Sequence, residues 1–309
     1  MSDLENLDIE RLAKILLKSR KFIISLTFLV AISSVAFSLY LTPIYTSSAL
    51  AEPNPNLQID SSMSNLAGTA SMIGLDISSG GSRGADIVTV SVAVIRSRDF
   101  FALMMEEDNF LPELMAASSY SKDTKQLTLD NSKYDAKKNE WIVDGKNNMP
   151  SFHDSYETFI KSHLEIQRDQ KTKLTTISIS HSSPYIAKKW LDMILIKINT
   201  IMRDKKIFEA NKSIDFLNEQ LGKTNIKELK AALSNSIEKE LNSLMFAKIT
   251  DDYIFKIIDS PRVPLIQSRP NKKSIVLIGT IIGLILSILM SLIYEFIYTF
   301  NINNRKITK

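Results

Sequence analysis

The chain has 309 residues, a net charge of +4 from 38 basic and 34 acidic side chains, 44% apolar residues and no cysteine. Without cysteine there can be no disulfide, iron–sulfur cluster or thiol nucleophile. The near-cancellation of charge gives no basic or acidic field of the kind that collects nucleic acid, and no nucleic-acid partner is expected.

In chain order, residues 1–21 mix Asp3, Glu5, Asp8 and Glu10 with Arg11, Lys14, Lys18, Arg20 and Lys21, and carry Leu4, Leu7, Leu12, Ile15 and Leu16. They read as a short amphipathic helix on a membrane surface or, equally, as a polar tail. Residues 22–42 (Phe22 to Thr42) then run without a charge, long enough at 1.5 Å per residue to cross the hydrocarbon core of a bilayer. Basic residues precede this span and none follows until Arg83, which places the N-terminus in the cytoplasm. Ala49-Leu50-Ala51 matches a signal-peptidase site, but the apolar run is too long and ends too early for a cleaved leader.

Residues 43–273 are the size of one large domain and fall on the far side of the membrane. Ile44 to Ala51 reads as a strand between Pro43 and Pro53, and the Ser/Gly-rich stretch 56–84 as a loop. Asp86 to Glu107 reads as helix broken near Ser97-Arg98-Asp99; residues 118–150 are polar, with Asp144-Gly145 as a turn signal. Ser151, with Asp154 three residues on, caps a helix reaching about Ile160. Leu164–Asp169 and the alternating Leu174–Ser180 form a hairpin.

From Tyr185 to Ser260 there is no proline and a single glycine, Gly222. Apolar residues at helical spacing (Ile186, Trp190, Ile194, Ile198, Ile201, then Ile226, Leu229, Leu233, Ile237, Leu241, Leu244) predict two helices of about 57 and about 39 Å. Tyr253–Asp259 is a final strand. If it shares a membrane-proximal sheet with 174–180, the two helices must leave that sheet and return. The predicted fold class is therefore α+β: an α/β base (43–183 and 251–260), a long helical hairpin (184–250) and a proline-rich strap (261–273), flanked by two transmembrane helices. The strap carries Pro261, Pro264 and Pro270, which deny it helix and ladder hydrogen bonds. It leads into the second uncharged run, 274–294, followed by a cytoplasmic tail at 295–309. Gly279 and Gly283 form a GxxxG pair there; such pairs allow close backbone approach, and glycine is also simply common in membrane helices.

Catalytic chemistry finds no support. Gly222-Lys223-Thr224 resembles the end of a phosphate loop, but Leu217 stands where the earlier glycine is needed and the setting is helical. The three histidines, His153, His163 and His181, match no metal-ligand spacing. The basic run Lys188, Lys189, Lys197, Arg203, Lys205 and Lys206 reads as a solvated face, with anionic sugar or headgroup contact as the alternative.

The layout resembles the O-antigen and exopolysaccharide chain-length determinants, the polysaccharide co-polymerases of the bacterial inner membrane. The residues that carry the resemblance are IRSRDF (95–100), ISISHSSPYIAKKW (177–190), ANKSIDFLNEQL (210–221), Tyr253 to Pro264, and the family's proline element P-x2-P-x4-S-P-K. Pro261, Pro264 and Pro270 match that element, while Arg269 and Asn271 replace its Ser and Lys. Gly283 fits the first of the paired glycines and Ser287 stands at the second. The resemblance implies a homo-oligomer that works beside an inner-membrane polysaccharide polymerase and sets glycan length. It implies no reaction, cofactor or metal of the protein's own, no cytoplasmic kinase domain, and the nascent lipid-linked glycan as a further contact. A periplasmic export adaptor or sensor without effect on polymer length is the alternative.

Overall fold

The computed structural model describes residues 17–54, 87–142 and 149–307, with side chains described through residue 294. The readings made for the first sixteen residues, for 56–84 and for Asp144-Gly145 lie outside the described residues. The chain divides into two compact units, Met1–Ile44 with Gln267–Lys309, and Tyr45–Ile266.

The first unit holds two long apolar helices, α1 (Arg20–Tyr40) and α8 (Lys272–Ile307), each with a stretch long and apolar enough to span a membrane. The second runs 13 residues past Tyr294 without a break. They lie antiparallel, since Gly279, Gly283 and Ser287 of α8 meet Ser34, Val30 and Thr27 of α1 in descending order. Most of their remaining apolar side chains, among them Phe28, Leu29, Ile278, Ile285 and Leu289, are exposed, the arrangement expected of helices solvated by lipid.

The second unit is built on a four-stranded antiparallel sheet of order β6-β7-β1-β8, where β1 is Tyr45–Pro53, β6 Leu164–Arg168, β7 Thr175–His181 and β8 Phe255–Asp259. Strand alternation divides its two faces. Ser47, Ala49 and Ala51 of β1 and Ile177 and Ile179 of β7 are buried on one face. On the other, hydroxyls pair across the strands, Thr46 with Ser180 and Ser178 with Ser48, each at 2.9 Å. The small residues of β1 leave room for helix α6 (Pro184–Lys223), which packs on β1 and β7.

Helix α6 and helix α7 (Lys227–Ile249) leave after β7 and return into β8, so the predicted helical hairpin is present. The helix does not break at Gly222, which lies in its last turn with nothing within 4 Å of an added Cβ. The chain reverses at Thr224–Ile226, where the flanking residues Thr224 and Ile226 take extended backbone angles. The first half of α6 buries Ile186, Trp190, Leu191, Ile194, Ile198 and Met202; beyond Met202 the buried residues of the two helices are Ala210, Leu244 and Ala247.

The hairpin is fastened to the sheet by Asn199, which is buried. Its Oδ1 accepts the N–H groups of Ile254 (2.8 Å) and Phe255 (3.0 Å), and its Nδ2 donates to the carbonyl of Phe255. Asn199→Ala leaves two buried backbone donors unpaired and is expected to destabilise this unit by about 2 kcal/mol or more. A shift in the urea unfolding midpoint of the purified protein measures it; an unchanged midpoint would mean that these donors find other partners.

Between β1 and β6 lie α2 (Ile87–Ile95), α3 (Arg98–Met105), α4 (Phe110–Met115) and α5 (Phe152–Thr158), the last running into a wider π-type turn at Phe159–His163. Ser151 caps α5 through its side chain, as the sequence implies, and at the break Ser97 caps α3 in the same way. The polar stretch holds two small hairpins, β2–β3 (Ala117–Ser121 with Gln126–Leu129) and β4–β5 (Tyr134–Asp135 with Glu140–Trp141). Its apolar residues are too few to show the alternation. The β4–β5 turn is made by an Asx bond, Asp135 Oδ1 accepting from Lys137 N–H at 2.9 Å, and a second one, Asp130 Oδ1 accepting from Ser132 N–H at 2.9 Å, joins the two hairpins.

Candidate functional site

Three groups of residues were singled out by sequence, and the structure places each differently. The first is the glycine pair in α8. A Cβ built on Gly279 would stand 2.7 Å from Ser34 Cβ, and one on Gly283 would stand 2.9 Å from Val30 Cβ and 3.0 Å from its Cγ1. Both glycines therefore face the chain's own first span, and these distances leave no room for a methyl group. One turn on, Ser287 shares a hydroxyl–hydroxyl hydrogen bond of 3.1 Å with Thr27. Ser287 is thus small enough for the same seam and adds a bond that glycine would lack.

The second group is the strap. Pro261 is buried, and the carbonyl of Arg262 accepts a hydrogen bond from Ser47 Oγ of β1 at 2.9 Å. At its far end the backbone turns back on the start of the domain: Ile44 N–H donates to Arg269 C=O and Ser268 N–H to Ile44 C=O, both at 2.8 Å. Pro264 and Pro270 are half-buried, with no helix or ladder bond of their own. Gly279, Gly283 and Pro270 lie in the first unit, and Pro261 and Pro264 in the second.

The third group is the basic run on α6. All six of its cations have carboxylate partners: Lys188 with Asp192 (2.5 Å), Lys189 with Glu113 (3.2 Å), Lys197 with Glu107 (2.7 Å), Arg203 with Asp251 (3.7 Å), Lys205 with Glu209 (4.0 Å) and Lys206 with Glu240 (3.5 Å). The face is neutralised from within, which favours the solvated reading over a sugar or headgroup clamp. Gly222-Lys223-Thr224 ends a helix, with Lys223 paired to Glu219 one turn earlier, and forms no loop around an anion.

Sequence reasoning missed a buried polar cluster at the foot of α6. Trp190, with no exposed surface, is surrounded by the rings of Phe110 (4.6 Å), His181 (4.9 Å), His163 (5.6 Å) and Phe159 (6.2 Å). Its Nε1–H donates to Glu113 Oε2 at 3.0 Å, the carboxylate that also pairs with Lys189. His163 and His181 are 18 positions apart yet 5.6 Å ring to ring, because the π-type turn and the end of β7 bring them side by side. The hydrogen bonds fix both tautomers. Ser183 N–H donates to His181 Nδ1 (2.9 Å), so its Nε2 carries the proton and donates to Glu113 C=O (3.0 Å). His163 Nδ1 faces Ser180 C=O at 2.7 Å and is the donor there.

Burial lowers both histidines, His181 to about 4, with the neighbouring His163 adding to the effect and the Glu113 carbonyl opposing it. A base depressed in the folded state is neutral when folded and takes up a proton on unfolding. Stability is therefore full above about pH 6.5 and falls as the pH drops toward about 4. Melting of the purified protein at about pH 5 should show a loss on the order of 2 kcal/mol relative to neutral pH from His181 alone. No difference between the two would show that His181 is not held neutral.

IRSRDF also proves to be a brace. Tyr156 OH donates to Arg96 C=O at 2.6 Å, Arg96 Nη2 donates to Ile166 C=O at 3.3 Å, and the Arg98 guanidinium lies 5.9 Å over the Tyr156 ring. Among the described residues no group of three or more His, Cys, Asp or Glu side chains is disposed to hold a metal ion.

Residues 5–107, from the N-terminal tail through α1 and β1 to the end of α3, match the model of the family described as Wzz, chain length determinant protein. Among solved structures, the chain is similar to a full-length bacterial polysaccharide co-polymerase (11% identity, covering 94% of this chain and 98% of that one, TM-score 0.39). It is also similar to a fragment of WzzB, a polysaccharide co-polymerase from Salmonella Typhimurium (14% identity, 73% and 99% covered, TM-score 0.30). No curated protein matches. By the match over residues 5–107, the family that this sequence resembles is that of the chain length determinants.

Proposed function

We propose that the protein regulates the chain length of a bacterial surface polysaccharide, an O-antigen or a related exopolysaccharide, beside an inner-membrane polymerase and without a reaction of its own. The observation that carries this is the chain-length-determinant match, which takes in the first span, β1 and the helices that follow. The two candidate spans support it, since they bracket the unit Tyr45–Ile266 in the chain. In this reading both termini are cytoplasmic, residues 43–273 are periplasmic, and the proline strap with Gly279 and Gly283 joins the domain to its membrane pair.

Self-association is part of the same reading. Beyond Met202 the hairpin leaves Phe208, Phe216, Ile226, Leu229, Leu241 and Met245 exposed, more apolar surface than a pair of helices holds in water without partners. Light scattering of the detergent-extracted protein should report a homo-oligomer, and a monodisperse monomer would remove this support. The deciding experiment is a gel of surface polysaccharide from a deletion strain. Loss of modal length with polymer still made is the expected result. An unchanged ladder would favour an export adaptor or sensor, and loss of all polymer a synthetic role.

A further inference from the structure

Among the described large apolar residues, the three most exposed are Leu265 (91%), Tyr40 (89%) and Ile266 (81%). They are not scattered along the chain. Tyr40 is the last residue of α1, and Ile266 precedes the first residue of α8 by six positions, a reach of at most about 21 Å. Arg269, three residues after Ile266, is hydrogen-bonded through its backbone to Ile44, four residues after Tyr40. Because α1 and α8 run antiparallel, the end of one and the start of the other belong to the same end of the helix pair. Leu265-Ile266 sits in neither helix nor strand, between Pro264 and Pro270, so its backbone is stiffened and its side chains are free to project. Arg262, Arg269, Lys272 and Lys273 flank it within seven residues, against one carboxylate, Asp259, which lies 3.6 Å from Arg262.

An adjacent apolar pair rimmed by cations, tethered a few residues from a membrane helix, has the chemistry of the bilayer interface. There, apolar side chains settle at the headgroup–acyl boundary while basic groups meet lipid phosphate. Tyrosine at a helix end is enriched at that depth. We propose that Leu265 and Ile266 form an interfacial anchor that inserts into the lipid surface, tethered by a few residues of chain to the start of α8. The inference rests on the reading that α1 and α8 cross a membrane and adds to it a lipid contact made by the strap itself.

The cysteine-free chain permits a direct test with the full protein. Leu265→Cys and Ile266→Cys, each carrying an environment-sensitive fluorophore, are reconstituted into vesicles of phosphatidylethanolamine and phosphatidylglycerol. Leu289→Cys, half-exposed within α8, serves as a deep control, and Lys137→Cys, in an exposed turn, as an aqueous one. Lipid bearing a nitroxide near its headgroup should quench the labels of Leu265→Cys and Ile266→Cys severalfold more than that of Lys137→Cys, with aqueous iodide giving the reverse order. Iodide quenching equal to that of Lys137→Cys would overturn the anchor. So would protection from both quenchers, which would mean that a second copy of the chain covers the pair. If Leu289→Cys is quenched by deep nitroxide lipid while the strap labels are not, the inference alone fails. If Leu289→Cys is unquenched, the membrane reading fails and takes the inference with it.

Discussion

Gly279→Ile and Gly283→Ile should each separate the two spans and broaden or shift the length distribution of the polysaccharide, while polymer continues to be made. The physical argument begins at the added Cβ. It would lie 2.7 Å from Ser34 Cβ or 2.9 Å from Val30 Cβ, and those atoms are fixed to helix backbone, so one helix must move. Membrane helices associate by close packing rather than by a hydrophobic drive, so a lost seam is not replaced by another apolar contact. The absence of cysteine supplies a structural readout that does not depend on function. In a Thr27→Cys/Ser287→Cys background, whose hydroxyls now stand 3.1 Å apart, oxidation should join the spans; with Gly283→Ile added, it should not. Gly222→Ala is the control, since nothing lies within 4 Å of its Cβ and a helix gains up to about 1 kcal/mol from the exchange. A ladder unchanged in both glycine variants, with the crosslink lost, would separate span packing from length control.

The largest loss of stability is expected from Trp190→Ala. Trp190 contacts four aromatic rings, is wholly buried and donates to Glu113. Its removal leaves a cavity and takes one of the donors from the Glu113 carboxylate, which keeps Lys189, a cost of about 3–5 kcal/mol. Melting of the purified protein should fall by on the order of 10 °C. Trp190→Phe keeps most of the volume and loses only the Nε1–H, and should cost about 1–3 kcal/mol. If the two variants melt alike, the hydrogen bond to Glu113 outweighs the packing.

How much of this was legible in the sequence depended on range. The two long apolar helices were readable because each carries a long run without a charge, long enough to cross a bilayer. The hairpin was readable because its helices carry their own 3.6-residue period and contain no proline after the first position. The seam between the spans was half readable: GxxxG marks a face that can be approached closely but does not name Val30 and Ser34 as the residues that approach it. The foot of α6 was not readable at all. His163 and His181 carry no local pattern, and they meet only because a π-type turn ends beside β7. The basic run reads as a solvated face, as the structure favours, but its partners were not legible for the same reason. The carboxylates that neutralise Lys189, Lys197 and Lys206 come from Glu113, Glu107 and Glu240, each at least 34 residues away in the chain.

Helix α6 is continuous for 40 residues, and only its first half is embedded in the core. The other half is a lever with its fulcrum at Met202. About 21 residues of helix extend roughly 31 Å beyond that point, so a tilt of about 10° at the fulcrum carries the far end through about 5 Å, a distance close to one helical pitch. Small adjustments among Trp190, Asn199 and their neighbours are thereby magnified along the arm. The close packing around those residues holds the far end in position over a distance that loops of equal length would not maintain.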